Sequence, residues 1–135
     1  MKIAIRYYTK TGNTKKLADC IAEVTGAQAI TVDNALTEDV DILFLCNSIY
    51  GANVDESVKT FLDQNTMKIG QIVNISTSAL LRSTYSYVKK IAKEKGLNLS
   101  EKEWHCKGEF KIFRAGKPNK DDLASLTKFV KEIIE

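Results

Sequence analysis

A group of hydroxyl side chains around a glycine is the feature of this sequence best suited to chemistry. The group lies in a segment of six residues, which reads Thr9, Lys10, Thr11, Gly12, Asn13 and Thr14. Threonine hydroxyls donate hydrogen bonds, and a glycine lets the backbone curl close to a ligand. Apolar residues at helical spacing follow, so the segment leads into a helix, whose first N–H groups and positive dipole end attract anions. The pattern predicts a site for a terminal phosphate monoester, although Thr11 or Thr14 alone would also serve as a helix N-cap.

The rest of the chain alternates short apolar runs with helical periodicity, which predicts strands alternating with helices. The predicted strands are residues 3–7, 29–32, 41–46 and 72–75, with a fifth inside residues 97–106. The apolar faces of the predicted helices are formed by Leu17, Ile21 and Val24; by Val54, Val58, Phe61 and Leu62; by Tyr85, Val88, Ile91 and Ala92; and by Leu123, Leu126, Val130 and Ile133. Gly26 and Gly96 are expected to end the first and third helices.

This alternation predicts one α/β domain over residues 1–135, with a parallel sheet, right-handed crossovers and helices on both faces. In such three-layer, doubly wound folds, ligands bind beyond the carboxyl ends of the strands, where the strand order reverses. The segments that follow the first, third and fourth strands are residues 9–14, 47–53 and 76–81. A binding site is therefore expected where these three segments meet.

Two motifs give the chain a resemblance to the flavodoxin family. Residues 9–14 match, at each specified position, the family's phosphate loop, which reads Ser/Thr-x-Ser/Thr-Gly-x-Thr. Residues 106–110 and 116–118, with Asp122 and Leu123, are similar to the C-terminal segment of many short flavodoxin-like proteins. The resemblance covers almost the whole chain. It implies the strand order for which flavodoxin is the standard example, a five-stranded parallel sheet ordered 2-1-3-4-5, with FMN (flavin mononucleotide) at the switch between strands one and three.

The resemblance also implies which residues hold the cofactor. Residues 9–14 and Ser48 would surround the phosphate, and Tyr50 would stack on one face of the isoalloxazine ring. Gly51 would let the peptide next to flavin N5 rearrange on reduction, since glycine tolerates either sign of φ. The full set of implied cofactor-binding residues is Thr9, Lys10, Thr11, Gly12, Asn13, Thr14, Ser48, Tyr50, Gly51, Ala52, Asn53, Thr77, Ser78, Ala79 and Leu80. No catalytic residue or metal ligand belongs to this set.

The third segment departs from the pattern of electron-carrying flavodoxins. Residues 76–82 contain neither the second aromatic nor the glycine–acid pair that is usual there, and Ala52 and Asn53 stand where acidic residues are common. The expected function is an FMN-binding protein that carries electrons between redox partner proteins. Two alternatives stay open. Leu80 in place of an aromatic would leave room for a substrate, as in a flavodoxin-like oxidoreductase that uses NAD(P)H or a quinone. A flavin-free interaction domain would keep the same fold.

Charge and hydropathy argue against nucleic-acid binding and against insertion into a membrane. The net charge is +3, and basic and acidic residues are interspersed, a pattern that does not indicate a nucleic-acid surface. The longest apolar run, residues 42–46, is far too short to span a bilayer, and Lys2, Arg6 and Lys10 interrupt any signal-peptide core. We therefore expect a cytoplasmic protein without membrane or nucleic-acid partners.

The cysteines and the single histidine indicate no separate site. Cys20, Cys46 and Cys106 are far apart, and none is followed by an arginine six positions later, as a phosphotyrosine-phosphatase loop requires. Neither a metal site nor a disulfide framework is expected from this spacing. Trp104 and His105 have no evident partner by spacing and are predicted to lie at the surface of a strand.

Overall fold

Six strands and four helices make up the part of the chain that the computed structural model describes, residues 1–10, 12–50, 53–78, 83–107 and 118–135. For residues 49, 50, 53, 54, 78 and 107 only the backbone is described. The strands are β1 (Ile3–Tyr7), β2 (Ala29–Thr31), β3 (Val40–Tyr50), β4 (Asn53–Val54), β5 (Ile69–Ser78) and β6 (Trp104–Lys107). The helices are α1 (Asn13–Thr25), α2 (Glu56–Gln64), α3 (Tyr85–Lys95) and α4 (Lys120–Ile134).

The main sheet has the order β2-β1-β3-β5-β6, and all of its pairings are parallel. In terms of the five parallel strands this is the predicted order 2-1-3-4-5, so the predicted fold class is confirmed. The short strand β4 pairs antiparallel with the end of β3, through Ile49 with Val54 and Tyr50 with Asn53. The strand order reverses between β1 and β3, and this point is therefore the expected ligand-binding edge.

Two apolar layers hold the helices against the sheet. Phe44 and Ile75 face α1 and α4, where they pack with Leu17 and Leu126. On the opposite face, Leu43, Leu45 and Ile72 pack with Val58 of α2 and Val88 of α3. Because helices cover both faces, the central strands bury successive residues, which explains their continuous apolar runs. The alternation also fixes the face on which each polar residue at a strand end lies.

Several element boundaries differ from those predicted. Val54 was expected in the second helix, but it belongs to β4, and α2 begins at Glu56 because Asp55 is its N-cap. Residues 47–50 and 76–78 were expected in loops, but they extend β3 and β5. Their backbones continue the ladder, pairing Asn47 with Ser76 and Ser48 with Thr77. Polar side chains do not end a strand, because the ladder is built from backbone hydrogen bonds.

The fifth predicted strand is shorter than its window. Only residues 104–107 form β6, and Leu99 makes an isolated bridge to Ile72. The predicted ends of the first and third helices are confirmed at Gly26 and Gly96, both with positive φ. No helix in the described residues is long and apolar enough to cross a membrane. The cytoplasmic location stays a prediction.

Candidate functional site

Gly12 is the N-cap of α1 and has a φ of 92°. Its N–H donates to Thr9 Oγ1 at 2.8 Å, which closes a tight turn between β1 and α1. A Cβ at this position would meet no atom within 4 Å, so space is not the constraint. The constraint is the left-handed backbone, which costs an ordinary side chain about 1–2 kcal/mol. A glycine therefore suits this turn for a conformational reason.

The N-terminus of α1 has no side-chain cap from Gly12, and its first turn contains no acidic residue. The first N–H groups of a helix have no partner within the helix, and the macrodipole makes this end positive. Lys15, in the same turn, pairs with Asp19 at 2.9 Å on the exposed surface, and this pairing raises the pKa of Lys15. The start of α1 is therefore electrostatically suited to an anion.

Three buried hydroxyls meet beside this helix start. Thr14 Oγ1 lies 2.7 Å from Ser48 Oγ, and Ser48 Oγ lies 2.6 Å from Thr77 Oγ1. Thr14 and Thr77 are 3.4 Å apart. We call Thr14, Ser48 and Thr77 the hydroxyl cluster. Thr14 sits inside the helix and bonds to the two strand ends, so the interpretation of Thr14 as the N-cap is wrong. Thr11, the other capping candidate, lies outside the described residues.

The sheet brings the hydroxyl cluster together. Ser48 and Thr77 are direct partners in the ladder between β3 and β5. Along each strand these residues continue the face that carries Cys46 and Ile75, which packs against α1. Thr14 lies on the buried side of α1, above the same face. The cluster is thus formed at the carboxyl ends of two central strands, where ligands of this fold class bind.

The donor set of the cluster fits a phosphate. Each hydroxyl has one proton to donate and can rotate it, and phosphate oxygens are acceptors. None of the three residues is a carboxylate, and no group of three metal-ligating side chains occurs anywhere in the described part of the chain. Burial of Thr14, Ser48 and Thr77 strengthens a charge-assisted hydrogen bond, because the local dielectric constant is low.

A second contact joins the first segment to the start of α2. Asp55 caps α2 by accepting from Ser57 N at 2.9 Å and from Ser57 Oγ at 2.6 Å. Burial alone would raise the pKa of Asp55, but hydrogen bonds from Ser57 and from the Tyr8 hydroxyl, with the charge of Lys10, lower it overall. Asp55 therefore stays ionised and ties the residues after β1 to the residues after β4.

Comparison with known proteins shows the family of the chain. A family model described as a flavodoxin domain matches residues 4–130. The chain belongs to the flavodoxin family. No curated protein sequence is a match.

Solved flavodoxin structures share the fold over nearly their whole length. A flavodoxin from the domain Archaea has a TM-score of 0.79 at 14% identity, over 98% of this chain and 96% of that chain. Flavodoxin 2 from Bacillus cereus has a TM-score of 0.70 at 16% identity, over 99% and 98%. A flavoprotein in complex with FMN from Lactobacillus acidophilus NCFM has a TM-score of 0.61 at 19% identity, over 78% and 92%. The family and fold together indicate a flavin cofactor.

The structure describes only part of the cofactor-binding set that the resemblance to flavodoxins implies. It brings Thr14, Ser48 and Thr77 into contact and places Thr9 and Gly12 in the adjoining turn. Asn13 is buried in the first turn of α1, and Lys10 is exposed. The backbones of Tyr50, Asn53 and Ser78 lie in strands. Thr11, Gly51, Ala52, Ala79 and Leu80 lie outside the described residues, and their roles stay predictions.

Some polar contacts had not been recognised in the sequence. His105 was predicted to have no evident partner, but its Nδ1 lies 2.9 Å from Glu103 Oε2, and Glu103 also accepts from Ser83. Trp104 Nε1 donates to Ser125 Oγ at 3.1 Å. The missed signal for His105 was the spacing of two from Glu103, which puts both side chains on one face of an extended chain.

Arg6 is another unexpected feature, because it is a buried cation in a central strand. Its guanidinium donates to the backbone carbonyls of Asn34, Ala35 and Ile5 at 2.9, 3.2 and 3.1 Å. Burial lowers the pKa of Arg6. These bonds hold the segment after β2 against β1, and this role is structural.

Proposed function

We propose that this flavodoxin binds FMN, with the terminal phosphate at the hydroxyl cluster and the start of α1. The observation that carries the proposal is the convergence of three buried hydroxyls beside the start of α1, where the N-cap, Gly12, has no side chain to occupy the first N–H groups. The three hydroxyls come from α1, β3 and β5, whereas a helix cap needs only one side chain. The FMN complex of the structural neighbour from Lactobacillus acidophilus supports the same choice of cofactor.

The chain's own residues would bind and orient the phosphate. Thr14, Ser48 and Thr77 now hydrogen-bond to one another, and each can turn its proton toward a phosphate oxygen instead. In this proposal the first backbone N–H groups of α1, which follow the turn at Gly12, donate to the same phosphate. A hydrogen bond to a charged group contributes about 1.5–3 kcal/mol, so loss of any one hydroxyl should weaken binding measurably.

The proposed function is electron transfer between redox partner proteins. FMN, when bound, supplies one- or two-electron chemistry, and the protein supplies binding, orientation and electrostatics. In this proposal Tyr50 stacks on the isoalloxazine ring, and Gly51 allows the neighbouring peptide to change its conformation. Both roles come from the resemblance to flavodoxins. The net charge of +3 favours acidic partners, because complementary charge accelerates docking.

The test begins with the absorption spectrum of the purified protein and of apo-protein mixed with FMN. We expect flavin absorption bands in the blue region of the visible spectrum, a stoichiometry of one FMN per chain and quenched flavin fluorescence. Absence of any flavin uptake would contradict FMN binding and favour the interaction domain.

A kinetic test separates the carrier from the oxidoreductase. We expect the reduced FMN-loaded protein to be reoxidised by a protein acceptor in a salt-dependent reaction. Steady-state oxidation of NAD(P)H with a quinone should stay at the level of free FMN. Turnover well above free FMN would instead favour the oxidoreductase, in which a leucine at position 80 in place of an aromatic would leave room for a substrate.

A further inference from the structure

Four fully buried polar side chains form a second network on the other face of the sheet. They are Asn47, Asn74, Ser76 and Thr84, each with 0% exposure. Asn47, Asn74 and Ser76 continue the strand face that carries Leu45 and Ile72, which packs against α2 and α3. We call this set the amide network. The sheet separates it from the hydroxyl cluster, which faces α1.

The amide network runs from β3 through β5 to α3. Asn47 Nδ2 donates to Asn74 Oδ1 at 2.9 Å and to Leu45 O at 3.2 Å. Asn74 Nδ2 then donates to Thr84 Oγ1 at 2.9 Å. Thr84 N also donates to Ser76 Oγ over a longer distance of 3.5 Å, and this contact brings Ser76 into the network. The partners fix the orientation of both amides. Both groups that contact Asn47 Nδ2 are acceptors, and Asn74 accepts through Oδ1 and donates through Nδ2.

The members of the network stand at the borders of the two segments expected to hold the flavin ring. Asn47 comes three residues before Tyr50, and Ser76 and Thr84 stand on either side of residues 79–82. Thr84 is also the N-cap of α3, yet its side chain makes no capping bond, because it accepts from Asn74 instead. The hydroxyl that would ordinarily serve the helix is used to tie α3 to the sheet.

Stability alone does not account for this network. Buried polar groups are costly unless every donor and acceptor is satisfied, and a pair of apolar residues of similar size is often as stable. Within the part of the chain that the structure describes, Asn47 Oδ1 has no hydrogen-bond partner. A partly satisfied network is a poor way to stabilise a core. Its value must lie in the geometry that it imposes.

We infer that the amide network is a positioning device, which fixes the carboxyl ends of β3 and β5 and the start of α3 relative to one another, at the edge of the sheet where FMN is proposed to bind. The inference rests on the proposed function and deepens it. In this proposal the hydroxyl cluster holds the phosphate on one face of the sheet, and the amide network aligns the strand ends and the start of α3 on the other. The two sets therefore make separable contributions to flavin binding.

The test replaces both amides together, with N47L and N74L in one chain, so that no new unpaired donor is left between them. We expect the midpoint of urea unfolding of the apo-protein to be unchanged or raised. We expect the affinities for FMN and riboflavin to fall by the same factor, about tenfold, because the phosphate contacts are untouched. Amide hydrogen exchange at Tyr87 and Val88, whose N–H groups bond to Thr84 O, should accelerate in the apo-protein.

Matched variants guard against a trivial loss of folding. T84V removes only the hydroxyl that accepts from Asn74, whereas T84S keeps it and should retain wild-type affinity for both flavins. Asn98 donates to Gly70 O at the amino end of β5, so N98L is a control that loses an amide bond far from the site. We expect N98L to change the urea midpoint and leave both flavin affinities unchanged.

Two results would overturn the inference. One is a double variant that loses stability but keeps wild-type flavin affinities and wild-type exchange at Tyr87 and Val88, which is the behaviour of an ordinary core contact. The other is a loss confined to FMN, which would place the effect at the phosphate. If the wild-type protein takes up no flavin, the proposed function fails by itself. Hydrogen exchange then still decides whether the network positions α3.

Discussion

Helices α1 and α4 pack side by side on one face of the sheet, yet they begin in opposite ways. At the start of α4, Asn119 Oδ1 accepts from Asp122 N at 3.0 Å, and Asp122 Oδ2 accepts from Asn119 N at 2.9 Å. This capping box, with two acidic residues in the first turn, satisfies the helix from within. At the start of α1 the cap is Gly12, and the first turn holds no acid. The chain therefore caps the start of α4 with its own side chains, whereas in the described residues no side chain caps the start of α1. We call the start of α4 closed and the start of α1 open.

Closing the start of α1 with a carboxylate should cause the largest loss of FMN affinity. In the Gly12→Asp variant, a carboxylate competes for the same N–H groups and repels the phosphate. Two like charges about 4 Å apart near a protein surface repel by about 4 kcal/mol, so FMN affinity should fall about a hundredfold or more. Flavin fluorescence titration measures this loss. Gly12→Asn, which has the same shape and the same backbone strain, is the control and should lose much less.

Removal of one hydroxyl from the cluster should have the next largest effect. Thr14→Val deletes the hydroxyl 2.7 Å from Ser48 Oγ and keeps the side-chain shape. FMN affinity should fall about ten- to a hundredfold, with little change for riboflavin. Thr25, whose hydroxyl donates to Ile21 O at the other end of α1, gives the control Thr25→Val. Equal losses for the two flavins in Thr14→Val would show that this hydroxyl does not contact the phosphate.

Opening the start of α4 should affect stability and not binding. Asn119→Ala removes the acceptor for Asp122 N, and the loss of an N-cap costs about 1 kcal/mol. Urea unfolding of the apo-protein should show this decrease, with FMN affinity unchanged. A weakened FMN affinity at wild-type stability would contradict the distinction between a closed and an open helix start.

The cap of α2 should lose its contribution to stability in acid. The pKa of Asp55 is lowered in the folded protein, so its ionised form stabilises the fold above the ordinary aspartate pKa of about 3.9. This contribution is lost as the pH falls through the lowered value. The stability difference between wild type and Asp55→Asn should therefore shrink below about pH 4. Urea midpoints measured from pH 6 downward test this, and a difference that grows in acid would reverse the assigned sign.

The fold was largely predictable, because periodicity is a local property of the sequence. The residues on one face of α1, α3 and α4 repeat every three or four positions, and the structure buries the central ones. The outer members of these faces are partly buried: Val24, Tyr85, Leu123 and Ile133. Val54 shows the limit of this reasoning. Its spacing from Val58 fits a helix, but Asp55 between them accepts from Ser57 N and makes the helix begin later. A capping contact outweighed the apolar spacing.

The site was predictable only in part, because its geometry depends on register. The sequence predicts a phosphate site at residues 9–14, a prediction that is still to be tested, but it does not reveal that Ser48 and Thr77 are ladder partners. Arg6 is a similar case, since a charge in a strand gives no sign that three backbone carbonyls will surround it. The amide network was missed because Asn47 and Ser76 lie in strand extensions that were expected to be loops, and because the contact of Asn74 with Thr84 depends on how α3 packs on the sheet.

The central claim is that the open start of α1 and the hydroxyl cluster hold a phosphate. The most direct test is titration of the apo-protein with FMN and with riboflavin, which differ only in that group. We expect one FMN per chain, bound about a hundredfold or more tighter than riboflavin, because the phosphate would accept several charge-assisted hydrogen bonds. Equal affinities for the two flavins would contradict it.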